Sequence, residues 1–529
     1  MMIWAVVAVV LLATSPCVAA EEVSEFVVRD GSQLKLKGKP WVYSGCNMYW
    51  LGLDSNCEAG LNESCIHYPS FYRIDDAIET AQGLGFSVIR AHTLGISSGS
   101  QSNGLALHPN RTTYNDKAFA TIDYAIYKAK LAGIRLVVPF TDNWDYFHGA
   151  YRNFVDWRGY TCKTTQVPSP GSDCIRFYND QQVVDDFHDY VAHILNHVNN
   201  FTGVALKHEP AILAWETGNE LAEKGPIFSN WTNDLGRFIK VDLGAKQLVM
   251  DGRQEWSYGM EADALASPYI DMYTDHYYMD WASAIKLMRK DGAAVHAANK
   301  VFVVGEYGPG KYTVDQVQSF LHAVETDTDT QGAPLVSGDT WWSFFGHGSV
   351  YGFVNHSDGF TIHYPGEDAQ HHAMINALRE HAYRKRGVPL PSKLPVPGTP
   401  SITLAEASAP SRGANACKHV KLTWRGAAMA CNYTIQRSPQ LTPTPAWTTI
   451  CNACATDLSP PWWDNTTCIA ADAADAAAGA AGAGGGGSHL PFYRLAGVSC
   501  DGQQGPYSSP VQATTTTATT TTATAVGAA

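Results

Sequence analysis

Two glutamates stand where a chain places acids only at a cost. The run Ile212-Leu-Ala-Trp215 is wholly apolar and leads into Glu216-Thr-Gly-Asn-Glu220, and the run Val301-Phe-Val-Val-Gly-Glu306 ends in an acid followed by Tyr307 and Gly308. A carboxylate at the end of a buried apolar strand pays a desolvation penalty. Each is therefore half of a structural ion pair, a surface acid just beyond the strand, or a reacting group. Two such acids facing each other can divide the cleavage of a glycosidic bond: one protonates the leaving oxygen, and the other attacks the anomeric carbon or activates water. A separation of about 5–5.5 Å corresponds to a retaining course and about 6.5–9.5 Å to an inverting one. A nucleophilic carboxylate must stay ionised, which calls for cationic and hydrogen-bonding neighbours such as Arg90 and Tyr278. Arg90 as a purely structural ion-pair residue is the other reading. His276 and Tyr278 lie two residues apart and so share one face of a strand.

The elements that would position these acids are short apolar runs alternating with amphipathic stretches from residue 27 to about 385. Eight runs read as strands: Trp41–Gly45, Phe86–Arg90, Ile134–Phe140, Ile212–Trp215, Gln247–Met250, Met272–His276, Val301–Glu306 and Trp341–Phe345. Between them Ile74–Gly83, Phe119–Ala132, Asp180–Asn200 and Val314–Thr326 read as helices. Eight βα units predict an α/β fold, a (β/α)₈ TIM barrel spanning 21–386, rather than a doubly wound open sheet. In such a barrel the fourth and seventh strands end on opposite sides of one mouth, where active sites lie.

Residues 387–400 carry five prolines and read as a stiff linker. Beyond it, 401–513 shows short alternating segments (Val420–Trp424, Tyr433–Arg437, Phe492–Gly497) and is expected to be a small all-β sandwich resembling fibronectin type III, with Trp424 on an early strand. It would be a spacer or stabilising module, or a carbohydrate-binding one using Trp447, Trp462 or Trp463. The Ala/Gly-rich 470–487 insertion and the Thr/Ala-rich 514–529 tail bury little apolar surface and are expected to be disordered.

Ile3–Leu12 followed by Val18-Ala19-Ala20 reads as a signal peptide over 1–20, which predicts a secreted, extracellular chain. Cysteine usage agrees with an oxidising compartment. Cys57 and Cys65 lie close together, as do Cys162 and Cys174, and six more cluster towards the C-terminus; Cys46 is left over in an apolar run and is expected to be a buried thiol. Cys451-x-x-Cys454 could suggest redox or zinc chemistry, but it lacks a second pair or matching histidines, so a disulfide is the better reading. Glycosylation acceptors begin at Asn62, Asn110, Asn200, Asn230, Asn355, Asn432 and Asn465. A net charge of −13 argues against nucleic-acid binding and against adhesion to anionic membranes. No metal or other cofactor is called for, and a monomer is expected.

Residues 27–385 resemble glycoside hydrolase family 5, and within it the endo-β-1,4-mannanases. The resemblance is carried by Lys207-His-Glu-Pro-Ala-Ile-Leu-Ala-Trp-Glu-Thr-Gly-Asn-Glu220, Gly45-Cys-Asn-Met-Tyr-Trp50, Val88-Ile-Arg90, Asn143-Trp-Asp145, His276-Tyr-Tyr278, Gly305-Glu306-Tyr-Gly308 and Trp341-Trp342. It implies that Glu220 is the general acid/base and Glu306 the nucleophile, supported by Arg90, Asn219, His276 and Tyr278. Asn219 would donate to the sugar 2-hydroxyl. Trp342 would form the floor under the sugar, with Trp341 turned the other way, and Trp50, His92, Asn143 and Trp144 are the remaining substrate-binding candidates. A β-mannan-type polysaccharide is the implied partner. Two positions depart from the family pattern: Leu221-Ala222 stands where Pro commonly follows the acid, and His92 stands where many mannanases carry Trp. Another family 5 specificity, β-glucanase or exo-acting, is the alternative, and a non-catalytic polysaccharide-binding barrel is the reading from a different class.

Overall fold

The computed structural model describes residues 23, 25–61, 64–163, 171–221, 225–253, 260–407, 418–469 and 490–515. The proposed signal peptide, the Asn62 acceptor and the 470–487 insertion lie outside them, as does the tail beyond Thr515.

Eight parallel strands close into a barrel: β1 (Tyr43–Asn47), β2 (Val88–Arg90), β3 (Arg135–Pro139), β4 (Ile212–Glu216), β5 (Leu248–Asp251), β6 (Met272–Tyr277), β7 (Val301–Tyr307) and β8 (Gly338–Trp341), with β8 pairing back to β1. Side chains alternate between two apolar layers. Tyr43, Val88, Val137, Leu213, Met250, Met272, Val301 and Val303 fill the interior, together with Val27 and Leu34 from a three-stranded antiparallel sheet (28–41). Outward residues such as Ile89, Leu136, Trp215, Val249, Tyr273 and Val304 pack under the helices. The helix Phe71–Gly83 shows the pattern: Ser70 caps it, and Ile74, Ala77, Ile78 and Ala81 form one buried stripe.

Seven strand expectations coincide with observed strands to within a few residues. The eighth does not. Trp341–Phe345 shares only Trp341 with β8, whose sequence is Gly-Asp-Thr-Trp. Its polarity hid it: Asp339 is fully buried, accepting from Ser44 Oγ (3.1 Å) and Tyr307 Oη (2.9 Å) and meeting His381 Nε2 at 3.1 Å.

The C-terminal unit is a two-sheet sandwich. One sheet pairs Trp462–Ile469, Lys418–Arg425, Ser401–Ala407 and Thr514–Thr515; the other pairs Thr448–Ala455, Asn432–Ser438, Phe492–Val498 and Gln504–Tyr507. Trp424 is buried in its core beside Tyr433. Thr514 and Thr515, expected in a disordered tail, instead pair with Glu406 and Ala407. The proline-rich segment is not a free spacer either. Leu394 bonds Asp501 and Gln503 of the sandwich, Gly398 N donates to Ala428 O, and Pro397 is buried.

Disulfides join Cys57–Cys65, Cys162–Cys174, Cys431–Cys500 and Cys451–Cys454, and Cys46 is a buried free thiol. The acceptors Asn110, Asn200, Asn230, Asn355 and Asn465 are exposed.

Barrel and sandwich share a packed boundary. Met429 of the sandwich joins the barrel's core cluster and lies against Gly83, where a Cβ would come within 2.5 Å of its sulfur. Tyr72 donates to Gly426 O at 2.9 Å. His347 is buried between two carboxylates, with Nδ1 2.8 Å from Asp76 and Nε2 3.0 Å from Asp457. Burial alone would depress its pKa, but the two aspartates overcome this and push it up to about 10.

A folded-state pKa raised above the unfolded value contributes stability that is complete below about pH 6.5 and lost as pH rises through the folded value. The thermal midpoint is therefore expected to fall between about pH 6.5 and 10. His347→Gln should remove that slope and cost roughly 3–5 kcal/mol at pH 6 by leaving two buried carboxylates unpaired. Calorimetry across this pH range tests both.

Candidate active site

The cleft opens where the strands end, has a volume of about 780 Å³, and is lined in part by Glu220, Glu306, Asn219, His92, Tyr278 and Trp342. At its base lies Arg90, buried at the end of β2. Guanidinium offers five N–H groups in a fixed fork, and here each meets an acceptor. Nε and Nη2 grip both oxygens of Glu216 (2.8 and 2.7 Å), and Nη2 also reaches Asn219 Oδ1 (2.8 Å). Nη1 reaches Glu306 Oε1 (2.6 Å) and Asn47 Oδ1 (3.2 Å). Glu216 is thus the structural partner and Glu306 the acid presented to the cleft. Arg90 is thus ion-paired to Glu216 and, through the same guanidinium, in contact with the acid at the cleft.

Glu306 reaches the cleft through a bulge. β7 slips register against β6 between Val304 and Glu306, so Gly305 is an extra residue without a partner. A Cβ at Gly305 would sit 2.4 Å from Thr274 Oγ1 and 2.7 Å from His276 Nε2, so only glycine fits. The freed Gly305 carbonyl accepts from Asn47 Nδ2 (3.0 Å) and Thr340 Oγ1 (2.6 Å). Tyr278 Oη donates to Glu306 Oε2 at 2.7 Å. Burial would raise the Glu306 pKa, but His276, His92 and Arg90 outweigh it and hold this carboxyl well below the usual range.

Glu220 lies four residues beyond β4 and adopts φ 52°, a left-handed conformation costing a non-glycine residue about 1–2 kcal/mol. Neighbouring peptides hold it there: Asn219 N donates to Thr141 O (2.7 Å) and Leu221 N to Gly252 O (3.3 Å). Its carboxylate receives Trp144 Nε1 at 2.5 Å and meets His276 Nδ1 at 2.7 Å. One oxygen each of Glu220 and Glu306 and a ring nitrogen of His276 lie within 4.8 Å of one another.

Asp142 links these parts. Its Oδ1 accepts from Trp144 N (2.9 Å) and Asn219 Nδ2 (3.0 Å). Burial, reinforced by the nearby Glu220 and Glu306 charges, raises its pKa well above the carboxylate norm. The Asn219 amide is thereby fixed between Arg90 and Asp142.

Trp342 is half-buried with its ring parallel to Tyr49 (centroids 5.4 Å apart, 9°), and its indole donates to Asp358 Oδ2 at 2.5 Å. Trp341 points the other way, into packing with Phe86 and Phe344. His92 lies edge-on to Trp342, 3.6 Å from Glu306 Oε1, and burial and the Arg90 charge lower its pKa.

Two substrate-binding expectations fail. Trp50 is fully buried, sandwiched between Arg73 (4.4 Å) and Phe345, with its indole donating to Phe344 O. Asn143 is fully buried and does not line the cleft; its backbone, not its amide, is engaged, with Asn219 and Arg152. Trp144 does line the cleft, but it offers the acid an N–H edge. Sequence reasoning missed Tyr49, Asp142, Tyr146, His148, His356, Asp358 and Phe360, all cleft-lining. Apart from Tyr49 and Asp142, which directly follow strands, they sit on long loops with no periodic signal.

The family described as GH family 5 beta-mannosidase-like matches residues 24–298. A putative mannan endo-1,4-beta-mannosidase 4 of Arabidopsis thaliana is 32% identical over 219 residues, 41% of this chain and 48% of the relative. Mannan endo-1,4-beta-mannosidase 1 of Solanum lycopersicum is 24% identical over 378 residues, 64% of this chain and 87% of the relative. The chain spans about half the length of the first curated relatives it matches. An endo-1,4-beta-D-mannanase structure from Thermotoga petrophila RKU-1 superposes with TM-score 0.52 at 23% identity, over 65% of this chain and 99% of that one. An endo-1,4-beta-mannanase from Rhizomucor miehei gives 0.52 at 22%, over 68% and 99%. At these identities the likeness shows the fold alone.

Arg90→Lys removes the bidentate grip and leaves several acceptors short of a donor, so a kcat loss of at least about 100-fold is expected with the fold retained. Trp50→Phe should leave kcat and KM within about twofold. Steady-state kinetics with circular dichroism checks both, and a strong KM effect of Trp50→Phe would restore it as a sugar platform.

Proposed function

The chain belongs to the glycoside hydrolase family 5 β-mannosidase-like family, and on that basis we propose that it is a secreted, retaining endo-β-1,4-mannanase acting on internal bonds of mannan, glucomannan or galactomannan. The observation that carries the reading is the close approach of Glu220 and Glu306, which fits the shorter spacing of a double displacement. Glu306, held ionised by His276, His92 and Arg90 and oriented by Tyr278, attacks the anomeric carbon. The C–O bond to the leaving sugar breaks as its oxygen takes the proton of Glu220. Water then adds to the glycosyl-enzyme; Glu220 takes its proton, and the Glu306 ester bond breaks. Asn219, held rigid by Arg90 and Asp142, offers its remaining N–H to the sugar 2-hydroxyl, and Trp342 supports the ring.

The names of the curated relatives support mannan as the substrate. His92 beside the nucleophile and Leu221 after the acid are the residues on which a β-glucanase or exo-acting specificity would rest. The apolar leader, the disulfides and the exposed acceptor asparagines support secretion with glycosylation. The strand order of the sandwich, with Trp424 in its core, supports a fibronectin type III-like unit.

Reducing-sugar release should be greatest on a mannan within a panel of mannans and β-glucans, and no release on any mannan defeats the specificity. Glu306→Ala should lose about 10³-fold or more in kcat, whereas a loss below about 100-fold removes Glu306 as nucleophile. Proton NMR of the first product should show retained anomeric configuration.

A further inference from the structure

The segment after β8 builds one wall of the cleft and is also what the sandwich holds. Trp342, His356, Asp358 and Phe360 face the cleft, and Asp358 carries the Trp342 indole. Between them, residues 347–352 meet the sandwich. His347 Nε2 lies 3.0 Å from Asp457, Arg425 Nε donates to Ser349 O at 2.5 Å, and Thr403 Oγ1 donates to Val350 O at 3.0 Å. Gly426 passes the His347 ring so closely that a Cβ would lie 2.3 Å from it, and Pro460 closes on Gly352. From the barrel side, Asp76 and Glu58 hold His347 and Ser349. The wall is thus clamped between two units. Of the sandwich's tryptophans, Trp447 lies under the Arg494 guanidinium, Trp462 packs on the sandwich core, and Trp463 stands exposed.

We propose that the sandwich is a positioning element of the cleft, in which Asp457, acting through His347, sets the wall that carries Asp358 against Trp342 and thereby the grip on a β-linked chain. This rests on the polysaccharide-cleft reading above. No sandwich residue among those described lines the cleft itself.

The test is kcat and KM of Asp457→Asn in the full-length protein, on a soluble β-1,4-linked oligosaccharide that the wild type cleaves. KM is expected to rise about 5–10-fold with kcat within about twofold, and Asp457→Glu should restore most of it. A generally weakened fold would instead lower active enzyme, and with it apparent kcat. Arg425→Lys, a milder change on the same wall, should raise KM in the same direction and stands in if Asp457→Asn does not fold. Unchanged KM in the folded variants overturns the proposal. So does loss of binding to insoluble mannan in Trp463→Ala with Asp457→Asn unaffected, which would make the sandwich an independent binding module. A wild type that cleaves no member of the substrate panel defeats the polysaccharide reading and this inference together, whereas an unchanged KM in an active enzyme defeats this inference alone.

Discussion

The guanidinium of Arg90 is the interaction on which the site depends. A buried cation is costly unless every donor is met and its charge is balanced. Here the fork is filled by Glu216, Asn219, Glu306 and Asn47, which come from β4, the turn beyond it, β7 and β1. One side chain therefore fixes the relative position of three barrel strands and of the turn that leads to the second acid. Glu216 takes the bidentate grip, leaving Glu306 with a cationic neighbour on one oxygen and the Tyr278 hydroxyl on the other. The division between the two acids follows from this asymmetry: one carboxylate is bound to a cation, while the other is bound to an indole N–H and a histidine.

The acid side is governed by backbone rather than charge. Glu220 can point inward because its residue takes a left-handed turn, and the surrounding peptides and the Asp142–Trp144–Asn219 network make up for the local strain. Asp142 illustrates how a buried carboxyl serves without reacting: it aligns an amide and the backbone of a tryptophan, and each of these residues acts where the substrate would lie.

Sequence reading reached those parts that obey a period or pay a visible penalty. Seven apolar runs marked seven strands, and the cost of an acid after an apolar run marked Glu220 and Glu306. The eighth strand escaped because Asp339 replaces an apolar core residue and is satisfied only by partners 32 to 295 residues away. Trp50 was misplaced because an aromatic after a strand can equally turn inward onto a buried arginine, and composition does not distinguish the two. The loop residues Tyr146, His148 and Asp358 converge on the cleft through tertiary contacts that no local pattern encodes, and the linker's attachment to the sandwich depends on side chains about a hundred residues further on.

The bulge at Gly305 bears on how the chain tolerates changes in length. In a regular strand, losing one residue turns every later side chain to the opposite face. In β7 the extra residue consumes no partner: Val304 and Tyr307 pack outward under the helices, and Glu306 between them faces the cleft whether or not Gly305 is counted. The orientation of this acid is thus insulated from a single deletion at that point. What such a deletion would remove is the carbonyl shared by Asn47 and Thr340, so the anchoring of the acid, rather than the direction it faces, is what the inserted glycine contributes.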